Sequence, residues 1–155
     1  MRRIVKSLCS MLAVVGLLFT TGGVAAAAPV SDGPSTAAVS CSGHVTYSET
    51  RPNIGRLVIY YNSSNGGTNS ACMYHNGSNY GVAAPTDVQI WRCTQSSGEG
   101  QPCTADKASP KDSGNFLYYA GPVGVTGTAN RCVRALGHVA VGPRNYIFDS
   151  KRQGC

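Results

Sequence analysis

The sequence is poor in charged residues, which make up 13% of the chain, and it has one tryptophan and three phenylalanines against eight tyrosines and 19 glycines. After position 40 no helical periodicity extends beyond two turns, which excludes a helix bundle. No internal repeat occurs, which excludes a propeller or a solenoid. The remaining class is a domain of short strands joined by turns rich in glycine, proline and asparagine.

Motifs for catalysis and for metal binding are also missing. There is no G-x-S-x-G element, and none of His44, His75 and His138 stands in a triad context. The segment 112–114, Asp-Ser-Gly, lacks the flanking glycines of a serine-protease nucleophile motif. Cys72 precedes His75 with C-x-x-H spacing but without a partner pair. The sequence therefore predicts no enzyme, no catalytic residue, no metal ligand and no cofactor, and no nucleic-acid motif is present.

The only long apolar run lies at the N-terminus, where residues 1–27 are predicted to be a signal peptide. Basic residues precede the apolar segment Met11–Phe19, and Ala25 and Ala27 fit a cleavage site before Ala28. The run is shorter than the ~20 residues of a spanning helix, so we expect no stable membrane anchor after cleavage. Cleavage leaves ten basic residues against seven acidic ones, so the high pI does not indicate nucleic-acid binding.

Residues 28–40 are small, polar and interrupted by proline, and they are interpreted as a flexible leader. Residues 41–155 are predicted to form one domain that contains every cysteine remaining after cleavage. These are Cys41, Cys72, Cys93, Cys103, Cys132 and Cys155. An even number of cysteines in a small exported chain predicts three disulfides, which persist in an extracellular environment.

Six cysteines allow many connectivities. The polar, glycine-rich stretch between Cys93 and Cys103 favours a local bridge between these two residues. Short loop length alone favours Cys41–Cys72 and Cys132–Cys155.

The strand pattern predicts an all-β domain, a small antiparallel β-sandwich or barrel stabilised by disulfides. The clearest strand is 56–62, RLVIYYN, with Leu57 and Ile59 on one face and Val58 and Tyr60 on the other. Other expectations concern single segments: a turn at 76–77 leading towards Tyr80 and Val82, an irregular stretch at 104–113, and separate strands at 131–136 and 138–141.

The stretch 116–132, FLYYAGPVGVTGTANRC, is predicted to be a central hairpin-like element that turns at Gly121-Pro122. It also carries a family resemblance, through Tyr118–Val123 and Arg131–Val133, with Cys41–Gly43 and the RLVIYYN run in matching order upstream. With these segments the chain resembles the spore-associated protein A family, small secreted proteins of filamentous actinobacteria. It departs from the family at 134–137, Arg-Ala-Leu-Gly, where a Trp-Gly pair is more usual.

The resemblance implies a secreted protein, extracellular or on the spore or cell surface, and it transfers no catalytic residues. The function predicted is a non-catalytic structural or binding role. Alternatives are a module that binds carbohydrate or a cell-envelope polymer, and a secreted hydrolase or hydrolase inhibitor with the loop 93–103 as the inhibitory element. The partner expected is a cell-envelope or spore-surface polymer. Candidate surface-binding residues are Tyr60, Tyr118, Tyr119, Arg131, Arg134 and Arg144.

Overall fold

The computed structural model describes residues 39–155, and nine strands lie within that range. They are β1 (His44–Arg51), β2 (Gly55–Asn62), β3 (Thr68–His75), β4 (Ala84–Cys93), β5 (Ala105–Ala108), β6 (Asp112–Phe116), β7 (Tyr119–Thr126), β8 (Val133–Val141) and β9 (Arg144–Asp149). The predicted signal peptide and all but the last two residues of the predicted leader lie outside the described residues. Across 39–155, no helix has the length and apolar character needed to cross a membrane.

The strands form two antiparallel sheets. The first sheet has the order β1-β2-β3-β7. In the second, β4 pairs with β8, which pairs with β9, while β5 and β6 both pair with the other edge of β4. The prediction of an antiparallel all-β domain is confirmed, and of the two architectures left open, the structure has the sandwich.

The core lies between the two sheets because alternate residues of each strand point inward. The strand β2 contributes Leu57 and Ile59, and β4 contributes Val88 and Ile90, all with no exposed surface. The other buried members of this cluster are Ala71, Met73, Ala120, Val123, Val125, Val133, Ala135, Val139 and Phe148. Full burial of one such large side chain stabilises the fold by roughly 1.5–3 kcal/mol.

A second, smaller cluster covers the outer face of the first sheet. Val58, Tyr60 and Cys72 are buried there, with Cys41 and Tyr74 packed against them. The predicted alternation of β2 is therefore confirmed, but both of its faces are covered. The Cys41–Cys72 bridge places the N-terminal end of the domain across this outer face.

The predicted hairpin turn at Gly121-Pro122 is wrong, because β7 runs through both residues. The chain reverses earlier, between β6 and β7, at 117–118. Opposite Cys72 the strand β7 has two residues, Gly121 and Pro122, so the pair forms a bulge. Strand β7 is the edge of its sheet, where a proline without an N–H group is tolerated.

Three other segment predictions are also corrected. The stretch 104–113, predicted to be irregular, contains β5 and the start of β6. A 3₁₀ turn, Gly77–Asn79, replaces the predicted hairpin turn. The strands predicted at 131–136 and 138–141 are one strand, β8, in which Gly137 is an interior residue. A Cβ atom at Gly137 would lie 2.9 Å from the Met73 sulfur, so glycine here makes room for a core side chain.

Three disulfides are present, with the three pairings that the sequence favoured. The Cα–Cα distances are 5.9 Å for Cys41–Cys72, 5.4 Å for Cys93–Cys103 and 4.1 Å for Cys132–Cys155. Three intrachain disulfides in a small domain are typical of extracellular proteins. The last bridge also holds the C-terminal segment, where Gln153 pairs with Val133.

Candidate binding surface

The predicted surface residue Tyr60 is not at the surface. Only 9% of it is exposed, and its hydroxyl lies 3.0 Å from the hydroxyl of Tyr74. Tyr60 belongs to the cluster on the outer face of the first sheet, where Cys41 and Tyr74 pack against the buried residues. It is a packing residue and is corrected as a binding candidate.

Tyr118 and Tyr119, in contrast, are 46% and 43% exposed. The ring of Tyr118 lies 4.9 Å from that of Tyr80, and the ring of Tyr119 lies 5.5 Å from that of Tyr74, measured between centroids. Both distances fall in the range of favourable tilted aromatic pairs. Two pairs of tyrosines thus meet where the β6–β7 turn approaches the β3–β4 connection.

Backbone hydrogen bonds join these two connections. The amide of His75 donates to the Tyr118 carbonyl at 2.8 Å, and the amide of Gly81 donates to the Leu117 carbonyl at 2.9 Å. Five of the seven large apolar side chains exposed in the described part of the chain belong to these segments. We call the surface formed by Tyr74, Tyr80, Val82, Leu117, Tyr118 and Tyr119 the tyrosine patch.

Four members of the tyrosine patch were not identified from the sequence: Tyr74, Tyr80, Val82 and Leu117. The sequence predicts a hairpin-type turn at 76–77 that leads towards Tyr80 and Val82. The structure instead has a 3₁₀ turn followed by exposed residues. No local signal brings this connection to Tyr118, since the contact follows from the pairing of β3 with β7.

A cleft of about 420 Å³ borders the tyrosine patch and is lined by Thr50, Arg56, Tyr74, His75, Asn76 and Tyr80. The Arg56 guanidinium lies 5.1 Å from the centroid of the Tyr74 ring, within cation–π range. Burial, and then the hydrogen bond with Tyr60, raise the pKa of Tyr74 far above its usual value, so the phenol stays protonated. The cleft therefore offers hydroxyl, amide and guanidinium groups beside exposed rings.

His75 lines this cleft but serves the structure. Its Nδ1 lies 3.2 Å from the carbonyl of Asn79 and its Nε2 lies 2.7 Å from the Thr86 hydroxyl. The side chain is 3% exposed. Both ring nitrogens already have protein partners, so the imidazole ties the β3–β4 connection to β4. Cys72, which has metal-ligand spacing to His75, is in a disulfide.

The candidate residue Arg134 is held by Asp149 in a two-pronged ion pair, with both nitrogen–oxygen distances 2.8 Å. Lys151 reaches the same carboxylate at 2.6 Å. Burial acts to raise the pKa of Asp149, but hydrogen bonds from Arg134 and Lys151 outweigh it and hold the pKa well below its usual range. Arg134 and Lys151 therefore share one carboxylate, which offsets one of their two positive charges.

Replacing Asp149 with asparagine should destabilise the protein at neutral pH by ~1.5–3 kcal/mol, the range for hydrogen bonds to charged groups. Because folding lowers the pKa of this carboxyl, its stabilisation is present above the ordinary aspartate pKa of about 4 and is lost as the pH falls further. The difference in the free energy of unfolding between wild type and Asp149→Asn should therefore become smaller as the pH is lowered. Urea unfolding at several pH values measures this difference. Glu99→Gln, at an exposed carboxylate, is the control, and a gap independent of pH would contradict the prediction.

The candidate residue Arg131 and the residue Arg152 both donate hydrogen bonds to the loop between Cys93 and Cys103. Arg131 donates to the carbonyl of Thr94, and Arg152 donates to the carbonyl of Ser97 at 2.6 Å. The amide of Gly100 also donates to the Arg152 carbonyl at 2.8 Å. These bonds fasten the loop to the C-terminal segment, and the two guanidinium groups are used for that purpose.

Arg144, the third arginine candidate, is exposed at the β8–β9 turn. Within residues 39–155 it has no ion pair. The structure therefore leaves both Tyr118 and Tyr119 exposed. The three arginine candidates, Arg131, Arg134 and Arg144, lie at different parts of the fold. These three arginines do not form one basic cluster.

A larger cleft, of about 630 Å³, lies on the outer face of the second sheet. It is lined by Pro85, Thr86, Asp87, Ser113, Gly114, Asn115, His138, Asn145 and Ile147. We call it the His138 cleft. The Nδ1 atom of His138 is 2.8 Å from Asp87 Oδ1, and the Lys111 ammonium is 3.2 Å from Asp87 Oδ2.

The register of the second sheet decides whether these residues form a triad. Asp87 pairs with Ser113 on one side and with His138 on the other, so Ser113 and His138 are two strand spacings apart, ~9–10 Å between Cα atoms. No hydrogen bond joins them in the described residues. Nor does any group of three or more histidine, cysteine, aspartate or glutamate side chains in 39–155 lie close enough to hold a metal ion.

The chain matches no family model, no curated protein and no solved structure.

Proposed function

We propose that the protein is an exported, non-catalytic binding domain of the extracellular space or of the spore or cell surface, and that its tyrosine patch binds a glycan of the cell envelope. The observation that carries this proposal is the concentration of exposed rings. Tyr80 pairs with Tyr118 and Tyr74 pairs with Tyr119, and Tyr74 and Tyr80 both line the same polar cleft. Tyrosine rings offer an apolar face and a polar edge, which suits the alternating C–H and hydroxyl surfaces of a sugar.

The charge distribution favours a neutral glycan over an anionic polymer. Arg134 and Lys151 share Asp149, and Arg131 and Arg152 are bonded to backbone carbonyls. These four cations already have partners, and Arg144, which has no ion pair within the described residues, stands apart from them at the β8–β9 turn. Beside the tyrosine patch lies the basic side chain of Arg56, with its guanidinium above the Tyr74 ring.

Export and membership of the spore-associated protein A family belong to the same proposal. Support for export comes from the predicted signal peptide 1–27 together with three disulfides. Support for the family comes from the residues Tyr118–Val123 and the order of segments around them. Mapping the N-terminus of the exported protein tests the first, with Ala28 as the expected first residue.

Replacing Tyr118 with alanine should weaken binding to cell-envelope glycan by about tenfold or more, because it removes one ring of the Tyr80–Tyr118 pair. Tyr118→Phe keeps the ring and should bind within about threefold of wild type, since one exposed hydroxyl contributes little. Co-sedimentation with purified cell-wall glycan and calorimetry with soluble fragments measure both.

The matched control is Val45→Ala. Val45 is 48% exposed and lies on β1, where it pairs with Tyr60. Strand β1 is one edge of the first sheet, and β7, which carries Tyr119, is the other edge. Replacement of Val45 should leave binding unchanged. Equal affinity for wild type and Tyr118→Ala would rule out the tyrosine patch as the binding surface, and binding to neither glycan preparation would rule out the glycan.

A further inference from the structure

The His138 cleft and the tyrosine patch are neighbours along β6. Ser113 and Asn115 line the cleft, and they point to the same side because they are two residues apart. Strand β6 ends at Phe116, and Leu117, in the turn that follows, is a member of the tyrosine patch and is 47% exposed. From Ser113 to Phe116 the strand advances ~10 Å towards that turn.

The opposite strand continues in the same direction. Asp87 and Pro85 on β4 pair with Ser113 and Asn115, and Val82, 52% exposed, precedes β4 on the side of the tyrosine patch. The cleft and the patch therefore follow one another along the paired strands β4 and β6, at one end of the second sheet.

The His138 cleft is close to electrically neutral at its centre. The carboxylate of Asp87 is compensated by the Lys111 ammonium. The carboxylate can only accept hydrogen bonds, so a neutral His138 carries its proton on Nδ1 and presents Nε2 as an acceptor. Within the described part of the chain Nε2 has no hydrogen-bond partner.

The rest of the lining is hydrogen-bonding but uncharged. Ser113 offers a hydroxyl, and Asn115 and Asn145 offer carboxamides, each with donors and an acceptor. Ile147, 53% exposed, adds an apolar surface beside them. A ligand that supplies hydroxyl donors, amide groups and apolar C–H faces would satisfy this lining.

We propose that the ligand is a linear polysaccharide of acetamido sugars that extends from the tyrosine patch into the His138 cleft. The acetamido groups pair with Asn115 and Asn145, and a sugar hydroxyl donates to Nε2 of His138. This inference rests on the proposed glycan binding and adds to it the sugar class, a second subsite and a minimum ligand length.

The test compares a disaccharide with a hexasaccharide of β-1,4-linked N-acetylglucosamine, using calorimetry and the full exported chain. The hexasaccharide should bind about tenfold tighter or more, because its far end gains the cleft contacts at high effective concentration. Asn115→Ala and His138→Gln should each lower hexasaccharide affinity about threefold to tenfold and leave disaccharide affinity unchanged. Tyr118→Ala should lower the affinity for both the disaccharide and the hexasaccharide.

Asn115 is exposed, so its variant keeps the test valid even if His138→Gln disturbs the sheet. Ser48→Ala, exposed on β1, is the neutral control. Equal affinities for the two ligands, with Asn115→Ala neutral, would overturn the extended site while Tyr118-dependent binding keeps the proposed function. Absence of binding to either ligand, with retained binding to cell-wall glycan, would overturn the choice of sugar. Release of shorter oligosaccharides would overturn a purely binding cleft in favour of hydrolysis.

Discussion

Replacing both Cys41 and Cys72 with alanine is expected to lower the free energy of unfolding by ~4 kcal/mol. The bridge spans 31 positions in sequence, the longest separation of the three. In the chain-entropy model a cross-link of this length removes roughly 3.7 kcal/mol of freedom from the unfolded chain, against about 3.4 kcal/mol for Cys132–Cys155 and about 2.8 kcal/mol for Cys93–Cys103. Urea denaturation of the wild type and of the three double variants measures the order directly.

The same variant should also weaken glycan binding. Cys72 is fully buried in the outer cluster, and the carbonyl of Cys41 accepts a hydrogen bond from the Tyr74 hydroxyl at 3.4 Å. Tyr74 in turn supports the ring of Tyr119. The Cys93→Ala, Cys103→Ala variant is the control, because its loop is bonded to the C-terminal segment and not to the tyrosine patch. If it proved the more destabilising of the two, the entropic ranking would be wrong.

Much of the fold follows from patterns that are local in sequence. Alternation identified β2 and assigned its faces, because a strand that crosses a core must alternate. Loop length was sufficient for all three disulfide pairings, since each bridge joins cysteines that are successive along the chain. Both features are determined by residues that are close to one another along the chain, so they can be predicted from the sequence.

Other features depend on partners distant in sequence, and there the sequence misled. Gly137 reads as a break between strands, but it is an interior residue that makes room for Met73 of the other sheet. Gly121-Pro122 reads as a turn, but β7 is an edge strand that accommodates both residues as a bulge against Cys72. Glycine and proline mark a special backbone conformation, and only the tertiary structure shows whether it is a turn.

The candidate binding surface was predictable only in part for the same reason. Exposure of Tyr118 and Tyr119 was proposed from adjacent tyrosines on a strand, yet the equivalent pair places Tyr60 in a covered cluster. The outer face of the first sheet is covered by the N-terminal end of the domain at Cys41. Nothing in the sequence of β2 indicates that this segment packs there. The meeting of Tyr80 with Tyr118 likewise requires the β3–β7 pairing.

Phe148→Ala is expected to cost ~3–5 kcal/mol, the usual range for truncating a fully buried aromatic residue. Phe148 is the largest side chain with no exposed surface, and it stands opposite Gly137 on β8. The glycine opposite cannot refill the space, so the variant should keep the part of its cavity that Met73, whose sulfur lies against Gly137, does not fill. The Arg51 guanidinium, 4.4 Å from the ring centroid, would also lose its aromatic partner.

The adjacent residue provides the comparison that makes this prediction sharp. Ile147 is 53% exposed on the opposite face of β9, so Ile147→Ala should change the free energy of unfolding by no more than about 0.5 kcal/mol. Phe148→Leu, which keeps most of the apolar volume, should fall between the two. Urea midpoints of the three variants decide the matter, and a similar loss at 147 and 148 would mean that β9 does not present one face to the core. A domain of this kind has only ~5–15 kcal/mol of stability, so Phe148→Ala should remove a large fraction of it.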